Sequence, residues 1–262
     1  MSTTTTDVTT TAPLTHDEAM ALQAVELDRA LELLRGLEPS DWSARTDCPD
    51  WDVRQMYQHV LGACESSASM RELVHQMRAA KRHQKAHGGP LEAGLSSVQV
   101  AERASLGPDE LLARLGAVAP VTVHKRTTMP ALMRKARMKI DGPVVETWTI
   151  GYLIDTIYLR DLWMHRVDAS RATGRELHLT AEHDGHLVAD VVAEWARRHG
   201  RPFTLRLTGP AGGTFTSSGT SPAPVRAEPS APEELELDAV EFCRTLAGRT
   251  EGSGLLTTIV PF

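Results

Sequence analysis

The chain has 262 residues, 41% of them hydrophobic and 24% charged, enough to bury a sizeable core as one large domain or two ordinary ones. A net charge of -6 excludes a molecule built to coat nucleic acid or an anionic membrane, and no run of 18 apolar residues is present to span a bilayer. Cys48, Cys64 and Cys243 include no CxxC pair, which excludes a cysteine-rich zinc site; free thiols of this kind point to a cytoplasmic protein whose metal ligands could only be His and carboxylate.

The Thr-rich opening, "MSTTTTDVTTTAP", has neither a basic nor an apolar stretch, so it predicts a disordered tail over 1–14 and not a signal peptide. Thr15 and Glu18 have capping-box spacing ahead of "AMALQAVELDRALELLRGL", where apolar residues recur at helical spacing. The connector "EPSDWSARTDCPDW" follows, with Trp42 and Trp51 placed to anchor the next helix. Val53, Met56, Tyr57, Val60, Leu61 and Cys64 then predict a helix from Asp52 to about Arg82. Further helical stretches are predicted around "LSSVQVAERAS" and for "GPDELLARLGAV", whose acidic first turn suits the helix dipole.

After these, "VTVHKRTTMPALMRKARMKIDGP" carries six Lys or Arg against one acid. The most apolar helix runs from Thr149 to about Ala172, with Gly174 as its C-cap. Together these elements predict a bundle of four main helices with one long crossover over 15–174. Beyond it come the helix "AEHDGHLVADVVAEWARRH", the period-two strand "RPFTLRLTG", a "PAGG" turn before "TFTSSG", the short helix "DAVEFCRTLAGR" and a closing strand, "GLLTTIVPF". The predicted class is therefore α+β, a helical bundle followed by a small α+β domain over 175–262.

Chemistry concentrates in "RDLWMHRVD". On a helix Asp161 and His165 lie about 40° apart around the axis, and Asp168 falls within about 20° of Asp161. The rest of that helix is apolar nearly all round, so it should be buried, and a buried carboxylate needs a partner. One reading is an ordinary pair, with Asp161 accepting from His165, Arg160 or Arg166. The other is a divalent metal, for which carboxylate and imidazole at i and i+4 are well-placed ligands. His59, at the edge of the apolar stripe of the second helix, can join them if the two helices pack side by side. Three protein ligands with an open fourth position is the pattern of a catalytic zinc.

Two stretches also resemble a known family. "WSARTDCPDWDVRQMYQHVLG" is similar to the opening motif of the mycothiol-dependent maleylpyruvate isomerase family, in which a Trp, a Thr, a Cys-Pro-x-Trp turn and a helix bearing a metal-binding His occur in this order. "YLRDLWMHRVDASRATGRE" resembles its second motif, an acidic residue ahead of a second metal-binding His and a Val-Asp pair. "LAGR" and the terminal "VPF" resemble the end of its small C-terminal domain, so the likeness covers roughly residues 15 to 262. It implies a DinB-like bundle holding a divalent metal, zinc first and nickel or iron as alternatives, with His59, Asp161 and His165 as ligands. Asp161 departs from the pattern, which leads one to expect Glu. Because no cysteine of the chain is an evident nucleophile, the resemblance implies an external thiol, mycothiol, for S-transfer to a small electrophile or for thiol-assisted cis–trans isomerisation.

Asp168 reads either as an acceptor behind a ligating imidazole or as a partner of Arg171. The basic run, Arg126 and Arg134 among its residues, could bind an anionic substrate or the carboxylate of a thiol cofactor, or could be a solvated face. Arg249, on the resemblance, could reach a substrate carboxylate. The competing functions are a metal-dependent hydrolase or isomerase without thiol, and a non-catalytic metalloprotein that binds a small ligand. Expected partners are small molecules, not nucleic acid or membrane, and the expected state is a monomer or homodimer.

Overall fold

Capping and periodicity together set the helical part of the molecule. In the computed structural model, which describes residues 5–142, 145–219 and 232–262, Thr15 and Glu18 close a reciprocal capping box at the head of α1 (His16–Arg35). The chain forms two compact units, one spanning Thr15–Leu177 and the other joining the N-terminal residues to His178–Phe262. Strand β1 (Thr5–Asp7) belongs to the second.

In the helical unit α1, α2 (Val53–Ala68), α5 (Pro108–Thr127) and α8 (Tyr158–Thr173) pack as a four-helix bundle. Their shared core includes Leu27, Leu31, Leu34, Met56, Tyr57, Leu61, Leu111, Leu115 and Leu162. Truncating one such leucine to alanine costs about 2–5 kcal/mol. Helices α3 (Met70–His87) and α4 (Leu91–Ala101) pair with each other and lie against α2. A buried polar seam joins them. Arg103, 3% exposed, binds Glu65 and Glu72, and Gln99 donates to Gln76, which in turn donates to the Gly62 carbonyl.

The second predicted helix is interrupted. α2 ends at Ala68 because Ser69 turns extended (φ -139°, ψ 117°) and its side chain caps α3 by accepting from Glu72 N. The basic run also has more structure than expected: a short α6 (Ala131–Arg134) and an antiparallel hairpin of β2 (Arg137–Ile140) with β3 (Glu146–Thr149). The last helix of the bundle starts as α7 (Ile150–Tyr152), passes through a π turn at Leu153–Ile157 and continues as α8. The side chain of buried Gln23 donates to the Ile154 carbonyl within that π turn. One inserted residue rotates the downstream faces by about 100°, so the π turn sets where Asp161 and His165 point.

The second unit packs α9 (His186–His199) and α10 (Ala239–Leu246) with a sheet ordered β1-β5-β4-β6, in which β4 is Phe203–Thr208, β5 Gly213–Ser217 and β6 Glu233–Asp238. β4 runs antiparallel to β5 and parallel to β6. Its alternation sends Phe203, Leu205 and Leu207 inward. Trp195 on α9 is fully buried against Phe203 and Phe242 and donates to the Leu255 carbonyl.

The N-terminus departs from the expected tail. Thr5–Asp7 pair in parallel with Thr214–Thr216, β-branched threonines being suited to a strand, and only residues 1–4 of that segment lie outside the described residues. "GLLTTIVPF" is not a strand: Gly254–Thr257 form a 3-10 turn, and Val260 N donates to the Leu246 carbonyl outside any ladder. Among the described residues no helix is long and apolar enough to cross a membrane.

Candidate metal centre

The start of α2 is built by its preceding turn. Thr46 Oγ1 donates to the Trp51 carbonyl (2.9 Å) and accepts from Cys48 N (3.2 Å), while Trp51 N donates to the Cys48 carbonyl (3.0 Å). Asp52 and Gln55 then form a capping box, which fixes the first turn of α2 and thereby the direction in which His59 leaves it. Asp161 and His165 sit one turn apart on α8, whose end is set by Gly174 in the left-handed region (φ 67°).

These three residues converge. His59 Nε2 lies 3.7 Å from Asp161 Oδ2, and His165 Nε2 lies 3.2 Å from Asp161 Oδ1. The two imidazoles meet edge to face with centroids 5.5 Å apart, and one donor atom from each residue lies within 4.8 Å of the other two. The His165 side chain is 4% exposed, His59 13% and Asp161 29%, so the group is sheltered but reachable.

Both nitrogens of His165 and Nδ1 of His59 are buried without a hydrogen-bond partner. The 3.2 Å approach of His165 to Asp161 is thus close in distance but off the line a hydrogen bond needs. A buried imidazole nitrogen left unpaired costs free energy, and a cation beside Asp161 would remove that cost at His165 Nε2, the unpaired nitrogen that faces the carboxylate. Burial by itself would raise the Asp161 pKa, but the facing imidazoles of His165 and His59 outweigh it and hold the carboxyl well below its usual range. Burial likewise disfavours charge on His165, and the Asp161 carboxylate overcomes this to push that imidazole well above 6.5. The donor set, two imidazole nitrogens and one ionised carboxylate oxygen, suits zinc and related divalent ions.

The competing arginine pair falls elsewhere: Arg166 binds Glu26 through Nε at 2.5 Å and through a second nitrogen at 3.0 Å, both side chains being buried. Asp168, fully buried, lies 3.9 Å from His165 Nδ1 and accepts from Cys48 Sγ at 3.6 Å. Arg171 lies 3.5 Å from Asp47.

The basic run divides. Lys125, Lys135, Arg137 and Lys139 are exposed, as a solvated face would be. Arg126 is 4% exposed, donates to Gln23 (2.8 Å) and Ser67 (2.9 Å), and sits 4.1 Å over the Tyr158 ring. Its burial lowers its pKa from the usual arginine value. Arg134 is half-buried and lies 3.6 Å from Asp155, a carboxylate already paired with His16 at 2.7 Å; the Arg134 Nε is buried without a hydrogen-bond partner. Arg249 belongs to the second unit, where it follows Gly248 (φ 74°) and its backbone N donates to the Arg244 carbonyl.

Sequence reasoning missed Trp51 as part of the site. Its ring stacks on His59 with centroids 5.0 Å apart and lies 6.2 Å from His165. The spacing of Trp51 to His59, eight residues across a cap, follows no helical period, so periodicity held no signal for it.

A family model described as the mycothiol maleylpyruvate isomerase N-terminal domain matches residues 23–170. Among solved structures, the chain is similar to a crystal structure of the mycothiol-dependent maleylpyruvate isomerase, with a TM-score of 0.56, 14% identity and 92% of each chain covered. It is equally similar to a histidine-to-alanine mutant of that enzyme, with a TM-score of 0.56, 13% identity and 90% of each chain covered. At such identity the likeness speaks to the fold. No curated protein matches the sequence.

Proposed function

The chain belongs to the mycothiol maleylpyruvate isomerase N-terminal domain family, and on that premise we propose that it is an enzyme that uses a divalent metal and mycothiol on a small electrophile, as a thiol-assisted cis–trans isomerase or an S-transferase. The observation that carries this reading is the convergence of His59, Asp161 and His165 from two helices, with His165 Nε2 buried and unpaired where it faces Asp161.

His59, Asp161 and His165 would hold the ion, zinc being the best match to the donor set. A divalent cation there would ionise a coordinating thiol, whose pKa when free is about 8.5. The chain's own residues do the remainder. Asp161 supplies the single negative charge of the set. Trp51 covers one face of His59 and keeps water from that side. Asp168 is assigned as the acceptor behind His165, holding its tautomer. Arg134, with an unpaired Nε, is assigned to an anionic group of the bound substrate or cofactor, and Arg126, buried on Gln23 and Ser67, to the same cofactor-binding side. Arg249 is assigned to the substrate carboxylate on the resemblance alone.

In the isomerase reaction the thiolate adds to a conjugated carbon, which converts a double bond into a single bond. Rotation follows, and expulsion of the thiolate restores the double bond and the thiol. In the transferase reaction the new carbon–sulfur bond is kept, and the adjoining carbon takes up the proton that the thiol gave up.

The test is turnover of a maleyl-type cis-enedione acid by metal-stripped protein with metal and mycothiol added back singly and together. Activity is expected only with both and is lost in His59→Ala and His165→Ala. Full activity without the thiol would overturn the proposal.

A further inference from the structure

The turn that leads into α2 touches both imidazoles from outside the ligand set. Cys48 Sγ donates to Asp168 Oδ2 at 3.6 Å, and the same oxygen lies 3.9 Å from His165 Nδ1, the ring nitrogen other than the one facing Asp161. Three residues further on, Trp51 lies against the His59 ring at 5.0 Å with 29° between the planes. Thr46 ties these two contacts together, because its hydroxyl accepts from Cys48 N and donates to the Trp51 carbonyl. His165 is 3% exposed and its Nδ1 has no hydrogen-bond partner, so a buried donor faces a buried carboxylate across a gap about 1 Å longer than a hydrogen bond.

We propose that the Thr46–Trp51 turn is the positioning element of the metal centre, with Cys48 orienting His165 through Asp168 and Trp51 orienting His59 by stacking. The proposal rests on the reading of His59, Asp161 and His165 as metal ligands. A carboxylate oxygen can accept more than one hydrogen bond, so Asp168 Oδ2 can take the thiol proton and also face the imidazole N–H. An imidazole that donates from Nδ1 presents the Nε2 lone pair, which is the nitrogen on the side of Asp161. On this reading Trp51 holds His59 by ring contact, and Asp168 holds His165 as the carboxylate facing its Nδ1 at 3.9 Å. Cys48 is a positioning residue and not a nucleophile, since its thiol proton is directed at Asp168.

The test uses full-length protein and Co2+ as the probe, with the variants Cys48→Ala, Cys48→Ser and Trp51→Leu and the thermal midpoint of each recorded. Cys48→Ala is expected to bind Co2+ about tenfold more weakly with an altered ligand-field spectrum, and Cys48→Ser, which keeps an O–H donor, is expected to recover most of the affinity. In metal-free protein, imidazole nitrogen NMR should show the His165 Nδ1 resonance moving in Cys48→Ala and the His59 resonances moving in Trp51→Leu. Wild-type affinity and spectrum in Cys48→Ala would overturn the proposal. So would a sulfur-to-cobalt charge-transfer band lost in that variant, because Cys48 would then be a ligand, and so would a loss that serine does not rescue and that tracks a lowered midpoint. Failure of the wild type to bind Co2+ would remove the ligand reading itself, whereas binding that is indifferent to Cys48 and Trp51 would remove only this inference.

Discussion

Asp161 carries the one negative charge of the proposed ligand set, so its substitution separates charge from shape. Asp161→Asn keeps the oxygen and loses the charge, and metal affinity is expected to fall at least about tenfold, some 1.4 kcal/mol. Asp161→Glu adds one methylene and restores the residue that the family pattern leads one to expect, so affinity should stay within a few-fold; isothermal titration of both variants decides the point. The buried pair of Glu26 and Arg166 is a structural counterpart. Arg166→Met removes the bidentate partner of a fully buried carboxylate, and the expected loss is about 3–5 kcal/mol in urea unfolding. A double variant, Glu26→Leu with Arg166→Met, should recover part of that, because neither member of this pair is then left buried without the other.

At the scale of elements, the centre depends on α2 and α8 keeping their faces toward each other. Gly62, one turn beyond His59, permits the close approach of α4: a Cβ there would lie 2.6 Å from Gln99 Cγ and 3.1 Å from an Arg103 nitrogen. Gly62→Ala is expected to destabilise the bundle by about 1–3 kcal/mol, read as a shift in the urea midpoint. The meeting of His59 with Asp161 and His165 was legible in the sequence for a physical reason: Asp161 and His165 recur at helical spacing in an otherwise apolar helix, and polarity there demands a partner. The break at Ser69 was not, because helix-forming residues continue through it and only the extended dihedrals of one residue part α2 from α3. Charge hid two strands: β2 lies in a basic run, and Glu233–Asp238 reads as acidic surface although Leu235 and Leu237 alternate within it. The π turn before α8 left no periodic trace, since its inserted residue is absorbed where Gln23 takes the Ile154 carbonyl.

For the molecule as a whole, two linked equilibria set stability. His199, packed against Trp195 and accepting from Arg201 N through Nδ1, has its pKa lowered from 6.5 to about 4, chiefly by burial and then by the charge of Arg201. Its folded pKa lies below the unfolded one, so its contribution is complete above about pH 6.5 and is lost as pH falls toward 4. The thermal midpoint should therefore fall over that window, and His199→Gln should flatten this part of the profile. The second, on the proposed function, is metal binding to the folded state alone, which would be worth about 2.7 kcal/mol at a free metal concentration a hundred times Kd. The central claim, that α2 and α8 together hold one cation, is met most directly by equilibrium dialysis of metal-stripped protein against Zn2+. One equivalent per chain is predicted for the wild type, with that equivalent lost in both His59→Ala and His165→Ala. A wild type that takes up no metal, or variants that retain the full equivalent, would contradict it.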